Sequence, residues 1–179
     1  MLYNYGMPRV NPEPQSIVPL APRLLIVGGA LIVIGAIGAW VFIANQKAAD
    51  NKAYQSALSR GQALEHDQKF TEATTAYQDY LSKTHTSTHK REIYFQLATV
   101  QGEALNYQGA LASYQAAARF PPGKDHAIIL ALAYTYDALG DKAEAIAYYQ
   151  QAIAGLKQDK NSRGDDATSL QQRIQELQK

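Results

Sequence analysis

The sequence predicts an all-α chain: one long apolar helix, then an α-solenoid of about three helix–turn–helix repeats and a C-terminal capping helix. Three observations carry that reading. Residues 24–44 run for 21 positions without a charge, a side-chain amide or a hydroxyl. Beyond them, the same small and aromatic landmarks return at one fixed offset. Near the C-terminus, a last amphipathic stripe follows a polar linker.

The first 23 residues contain Pro8, Pro12, Pro14, Pro19 and Pro22. Proline fixes φ and has no N–H to donate, so this density argues against helix and for extended or polyproline II chain. The sequence alone leaves two readings open: a disordered tail, or an arm laid along a neighbouring subunit with Tyr3 and Tyr5 as aromatic plugs.

From Leu24 to Ala44 the chain reads LLIVGGALIVIGAIGAWVFIA, closed by Arg23 on one side and by Asn45, Gln46 and Lys47 on the other. At ~1.5 Å per residue a helix of this length spans roughly 31 Å, the thickness of a bilayer's hydrocarbon core. Its twelve Leu, Ile, Val and Phe residues favour insertion by about 4–7 kcal/mol. A cleaved signal peptide fits poorly, because a cut after Ala44 would leave bulky Phe42 where a small residue is needed. The expectation is a retained transmembrane helix. Gly28, Gly35 and Ala39 fall on one face of it, a small-residue stripe suited to packing against another transmembrane helix. Trp40 suits an interfacial anchor.

From Asn45 to Leu64 the pattern is helical at once, with no flexible linker, so the apolar helix is expected to run on into the next domain. Only Arg9, Arg23 and Glu13 are charged before residue 45, which leaves 15 basic and 15 acidic residues beyond it. A neutral domain lacks the concentrated basic surface that nucleic acid or anionic lipid recognition requires. The absence of cysteine excludes disulfides, thiolate metal sites and lipid attachment through Cys.

Residues 45–157 carry an internal repeat. Ala98 to Ala133, Ala110 to Ala145, Tyr114 to Tyr149 and Ala117 to Ala152 are each separated by 35 residues. Leu139-Gly140-Asp141 reads as a helix stop and turn, and Arg119-Phe-Pro-Pro122 ends the middle unit. The first unit is offset from the second by 37 residues, Ala73 to Ala110, which predicts a longer connection over Thr84–Lys90. One helix pair cannot bury its own apolar face, so the units must stack and the last must be capped. Residues 158–179 supply a linker and a cap, with Ala167, Leu170, Ile174 and Leu177 on one stripe. Thr168 with Gln171, or Asp165 or Asp166 alone, is the expected N-cap.

These landmarks resemble the tetratricopeptide repeat family, whose unit is a helix–turn–helix of about 34 residues. The resemblance covers roughly residues 54–157. It implies that Gly61, Ala98 and Ala133, with Ala73, Ala110 and Ala145, lie at close helix crossings. Tyr77, Tyr114 and Tyr149 would then fill the space between units. Arg60, where leucine is usual, and Tyr80, where later units have alanine, depart from the pattern. The resemblance also implies a concave protein-binding groove formed by the first helices. It would present Leu58, Gln62 and Glu65, then Phe95, Thr99 and Glu103, then Leu130, Tyr134 and Asp137. The Lys/Asn clamp with which some relatives hold a C-terminal carboxylate is absent.

Nothing points to catalysis. His85 and His89 have i, i+4 spacing but sit in a Thr/Ser loop without Cys or paired carboxylates, so no metal is expected. No phosphate loop or nucleophile motif occurs, and no cofactor is implied. The sequence therefore predicts a non-enzymatic, single-pass scaffold in a bacterial-type inner membrane, with the repeats outside the cytoplasm. Its partners would be the bilayer, a peptide or protein segment in the groove, and other membrane subunits. In layout it is similar to the ancillary subunit of the bacterial Sec translocon. The alternative is an accessory subunit of a larger respiratory, photosynthetic or secretory complex, gripped by arm and anchor.

Overall fold

The computed structural model describes residues 20–84, 86–123, 125–158 and 164–179, and within these the side chains of 35–84, 86–123, 125–156 and 167–179. Residues 1–19 of the proline-rich arm, the side-chain surroundings of residues 20–34 (Gly28 of the expected stripe among them), His85 and most of the predicted linker lie outside the described residues. The described residues form seven helices: α1 (Leu20–His66), α2 (Phe70–Lys83), α3 (Lys90–Glu103), α4 (Tyr107–Ala117), α5 (His126–Leu139), α6 (Lys142–Gln158) and α7 (Gly164–Leu177). The chain divides into two compact units between Asn45 and Gln46.

In the first unit, α1 begins at Leu20, four residues before the predicted span. Pro22 falls in its first turn, where a missing N–H removes no intrahelical bond, so proline does not delay the helix as expected. Every side chain from Gly35 to Ala44 is exposed, including Ile37, Trp40, Phe42 and Ile43. Among the described residues no helix is long and apolar enough to cross a membrane.

The second unit stacks helices in chain order. Ala57, Ala73, Tyr77, Tyr80, Ile93, Leu97 and Val100 form one buried cluster drawn from α1, α2 and α3. Ala98, Ala110, Tyr114, Ala117, Ile128 and Leu132 form the next, from α3, α4 and α5. Ala133, Ala145, Tyr149, Ala152, Ile153, Leu170 and Ile174 form the last, from α5, α6 and α7. Each helix pair thus buries its apolar face against the helix that follows it, and α7 closes the series. Ala73, Ala98, Ala110, Ala133 and Ala145 are fully buried, as close crossings require. At Gly61 the ring of Tyr77 comes so near that an added Cβ would stand 2.2 Å from its Cζ.

These crossings give a stability prediction. Ala110→Leu or Ala145→Leu should destabilise the protein by about 1–3 kcal/mol through overpacking. Leucine at exposed Gln115 should be nearly silent. Thermal melts of the full chain in detergent that show equal effects at all three sites would overturn the helix registers.

The turn within each pair uses one left-handed residue at the same repeat position: Gln68 (φ 58°), Leu105 (φ 60°) and Gly140 (φ 78°). Only the third unit places glycine where that conformation is free of a Cβ penalty. Of the helices that follow these turns, α2 has no side-chain cap at Lys69, whereas Asn106 caps α4 and Asp141 caps α6, accepting from the Glu144 N–H at 3.3 Å. Asn106 accepts from the Gly109 N–H at 3.1 Å and Asp125 from the Ile128 N–H at 3.1 Å. α7 starts at Gly164, ahead of the expected caps. Asp165 and Asp166 therefore lie in its first turn, and Thr168 and Gln171 lie in its body.

The α2–α3 connection is pinned to α1. Asp50 accepts hydrogen bonds from the Thr84 hydroxyl, from Thr86 at 2.6 Å and from Tyr80 at 3.2 Å. Burial acts to raise the Asp50 carboxyl, but these donors outweigh it and hold the group below its ordinary value. His89 stacks on Tyr54 at 3.9 Å and bonds Asn51 at 2.7 Å. One unit on, Arg91 of α3 pairs with Asp125, the cap of α5.

Candidate functional site

Residues of α3, α4 and α5 line an open, shallow cleft of about 540 Å³, a size suited to a small ligand or a few side chains. Helical periodicity brings its walls together. Thr99, Gly102 and Glu103 share one stripe of α3 at i, i+3 and i+4. Ala127, Leu130, Ala131 and Tyr134 share one of α5 at i, i+3, i+4 and i+7. Tyr107 and Tyr114 of α4 complete the lining.

The floor is ordered by hydroxyls. Thr99 donates to the Phe95 carbonyl at 3.1 Å, which leaves its oxygen to accept from the Tyr114 hydroxyl at 3.2 Å. Burial, with a smaller contribution from Glu103, pushes the Tyr114 hydroxyl up and keeps it neutral. Tyr134 stands edge-on to Tyr149 at 5.5 Å yet remains 53% exposed. The cleft thus presents aromatic faces and Leu130 beside the free carboxylate of Glu103. It can hold apolar and cationic groups; nothing in it is arranged as a nucleophile with a base. Among the described residues no group of three or more His, Cys, Asp or Glu is placed to hold a metal ion.

Of the residues expected from sequence, Thr99, Glu103, Leu130 and Tyr134 meet at this cleft. Phe95 sits one turn back, edge-on to Tyr114 at 5.4 Å and packed on the middle core. Leu58 packs against the first core. Glu65 is half-buried, while Gln62 is exposed. Asp137 is already engaged: Arg173 of α7 donates to its two oxygens at 2.7 and 2.8 Å and the Tyr149 hydroxyl donates at 2.9 Å. Gly35 and Ala39 are exposed in the first unit, and nothing approaches Gly35 within 4 Å. Sequence reasoning missed Gly102, Tyr107, Ala127, Ala131 and Thr135. The stripe through Leu130 and Tyr134 could have found the two alanines.

The bonds from Arg173, then that from Tyr149, hold Asp137 below its ordinary value against the opposing effect of burial. A depressed carboxyl stabilises the fold above its unfolded pKa, and that stability is lost as pH falls through the lower folded value. Wild type should therefore melt above Asp137→Asn at pH 7, and the gap should close below about pH 4. A gap that stays constant to low pH would show that the carboxylate's charge contributes nothing.

A second cleft, of about 510 Å³, lies between α1 and α2 and is lined by Ala49, Ala53, Ala57 and Ala76. Ser56 and Arg60 line it at the repeat positions that Ile93 and Leu97 bury in the second unit and Ile128 and Leu132 in the third. This is the open end of the stack, finished with polar side chains where later units place apolar ones.

No protein-family model matches the chain, and no curated protein does. Among solved structures it is similar to the crystal structure of PcrH from Pseudomonas aeruginosa, with a TM-score of 0.57 over 70% of this chain and 92% of that one. Sequence identity is 16%, a level at which likeness speaks for fold alone. With the 35-residue register and the three consecutive cores, it shows that this chain has an all-α, tetratricopeptide-like helical repeat fold.

Proposed function

We propose that this protein is a non-enzymatic, membrane-anchored scaffold whose α3–α5 cleft receives a segment of a partner protein. The cleft carries the reading. It is walled by Leu130 and three tyrosines, carries one free carboxylate and contains no reactive constellation. The anchor rests on the uncharged run Leu24–Ala44 and on the exposed apolar side chains of residues 35–44. An inner membrane with the repeats on its outer side is the arrangement proposed; Arg9 and Arg23 face Lys47, Lys52 and Arg60 across the run.

A photo-crosslinker placed at Tyr134 or Thr99 should capture the partner in membranes, and the same group at exposed Gln150 on α6 should not. Equal capture from all three positions would remove the groove reading. Intact mass from purified membranes tests the anchor, because a product starting near Asn45 would exclude it.

The open face around Gly35 supports a second reading, an accessory subunit held through its helix by Gly28, Gly35 and Ala39. Gly35→Leu should then reduce co-purification of that complex. Undiminished recovery with a plain Leu/Ala span in place of residues 24–44 and with residues 1–20, the other proposed hold, removed would leave the repeats as the only contact.

A further inference from the structure

The two ends of the helical stack are finished differently. From Thr168 onward the exposed side chains of α7 are all polar, Gln171, Gln172, Gln175 and Glu176 among them. That is the solvating face a terminal helix of a repeat array needs. At the other end α1 exposes Ala49 and Ala53 over the cleft of about 510 Å³ that it forms with α2.

The spacing along α1 says what fits there. Of the α1 residues lining that cleft, Asp50 is engaged by Thr84, Thr86 and Tyr80, and Ala57 is buried in the first core. The other five, Gln46, Ala49, Ala53, Ser56 and Arg60, are exposed and stand 3, 4, 3 and 4 residues apart. This is the a/d seam of two heptads, and its natural cover is another α-helix. Later units have that face covered. Ile93 and Leu97 occupy the positions of Ser56 and Arg60 and are buried against α2; Ile128 and Leu132 do so against α4. Among the described residues no second helix precedes α1, which itself extends upstream to Leu20. Its cover has to come from another molecule.

We propose that the cover is α1 of a second copy, parallel and in register, each α1 seating in the other's cleft. The charges lining the cleft cancel, Asp50 and Asp79 against Arg60 and Lys83, so the surface meets itself without net repulsion. Alanine at successive seam positions lets two backbones approach closely without a second, complementary sequence. Gln46 offers a donor and an acceptor to its own counterpart, as a lone polar seam residue does when it fixes register. Arg60 ends the seam on a stem long enough to turn its guanidinium out to water. The direction rests on the anchor reading above. Gln46 lies two residues beyond Leu24–Ala44, so copies held by that run start their seams at one height and run the same way.

The chain has no cysteine, so a single introduced one reports only contact between copies. In membranes holding the full chain, copper-phenanthroline oxidation should link Ala53→Cys and Gln46→Cys into disulfide dimers. Gln55→Cys, exposed on the opposite side of α1, should give at least about tenfold less. Equal yields at 53 and 55, or no dimer at 53, would overturn the proposal. Position 53 is the midpoint of the seam, so a dimer there without one at 46 would mean antiparallel helices and would overturn it too. In detergent, Ala53→Glu sets two carboxylates face to face. It should weaken self-association by at least about tenfold in sedimentation equilibrium, with wild-type helical circular dichroism. Gln55→Glu should associate as wild type does; equal association of the two variants would count against the dimer. Intact mass reads the anchor and crosslinks from the α3–α5 cleft read the groove, so failure here is separable from failure of either.

Discussion

Replacing Tyr149 by alanine is expected to destabilise the protein by about 3–5 kcal/mol, the range for emptying a buried aromatic site. Tyr149 is fully buried at the centre of the cluster built from α5, α6 and α7. Its ring meets Tyr134 edge-on, and its hydroxyl reaches Asp137 at 2.9 Å. Truncation opens a cavity between three helices whose backbones already meet closely at Ala133 and Ala145, so little collapse is available. Tyr149→Phe separates the two contributions. It keeps the packing and loses one hydrogen bond, while Asp137 keeps Arg173, so a loss of about 1 kcal/mol is expected. Thermal melts of the full chain in detergent check both. A Tyr149→Ala protein within 1 kcal/mol of wild type would mean that α7 is not docked by this cluster.

Asp125→Ala should destabilise the fold by about 2–4 kcal/mol, although the side chain is 38% exposed. The carboxylate has two tasks. It caps α5 through the Ile128 N–H, worth about 1 kcal/mol, and it pairs with Arg91. The Arg91 side chain is only 21% exposed and its Nε is already buried without a partner. Removing Asp125 leaves that guanidinium half-buried and unpaired, the more damaging way to break an ion pair. Asp125→Asn retains a capping oxygen and should lose roughly half as much. If alanine and asparagine are equally damaging, the cap contributes nothing. If Arg91→Leu restores the Asp125→Ala protein, the stranded charge accounts for the loss.

Local patterns in the sequence were legible wherever one residue type at one spacing decides the outcome. The 35-residue offset located α3 to α6 because alanines at close crossings and tyrosines between units recur with the helix pairs. Leu139-Gly140-Asp141 announced a stop because Gly140 takes the left-handed conformation that ends α5. Gln68 and Leu105 adopt the same conformation without glycine's signal, so their turns were readable only through the repeat. Thr99, Glu103, Leu130 and Tyr134 were placed by the resemblance to the repeat family, and all four line one cleft. What escaped depends on contacts between residues 34–36 positions apart. Arg173 on Asp137 and Arg91 on Asp125 each require knowing how two helices approach, which no local window contains. The start of α7 lies ahead of all three expected caps, because Gly164, where it begins, carries no helix-start signal that a sequence reading could use.

The pinning of the α2–α3 connection has a consequence for how the protein meets proteases. Lys83, Lys90 and Arg91 flank a short Thr- and Ser-rich segment, on composition alone an inviting place for trypsin. A protease must draw several residues out into extended chain before it can cut. Here that means pulling Thr84, Thr86 and Tyr80 off Asp50 and unstacking His89 from Tyr54. Cleavage at this connection is therefore governed by local opening rather than by surface access. Nicking kinetics would measure the grip of a single aspartate on the segment that joins the first two repeats.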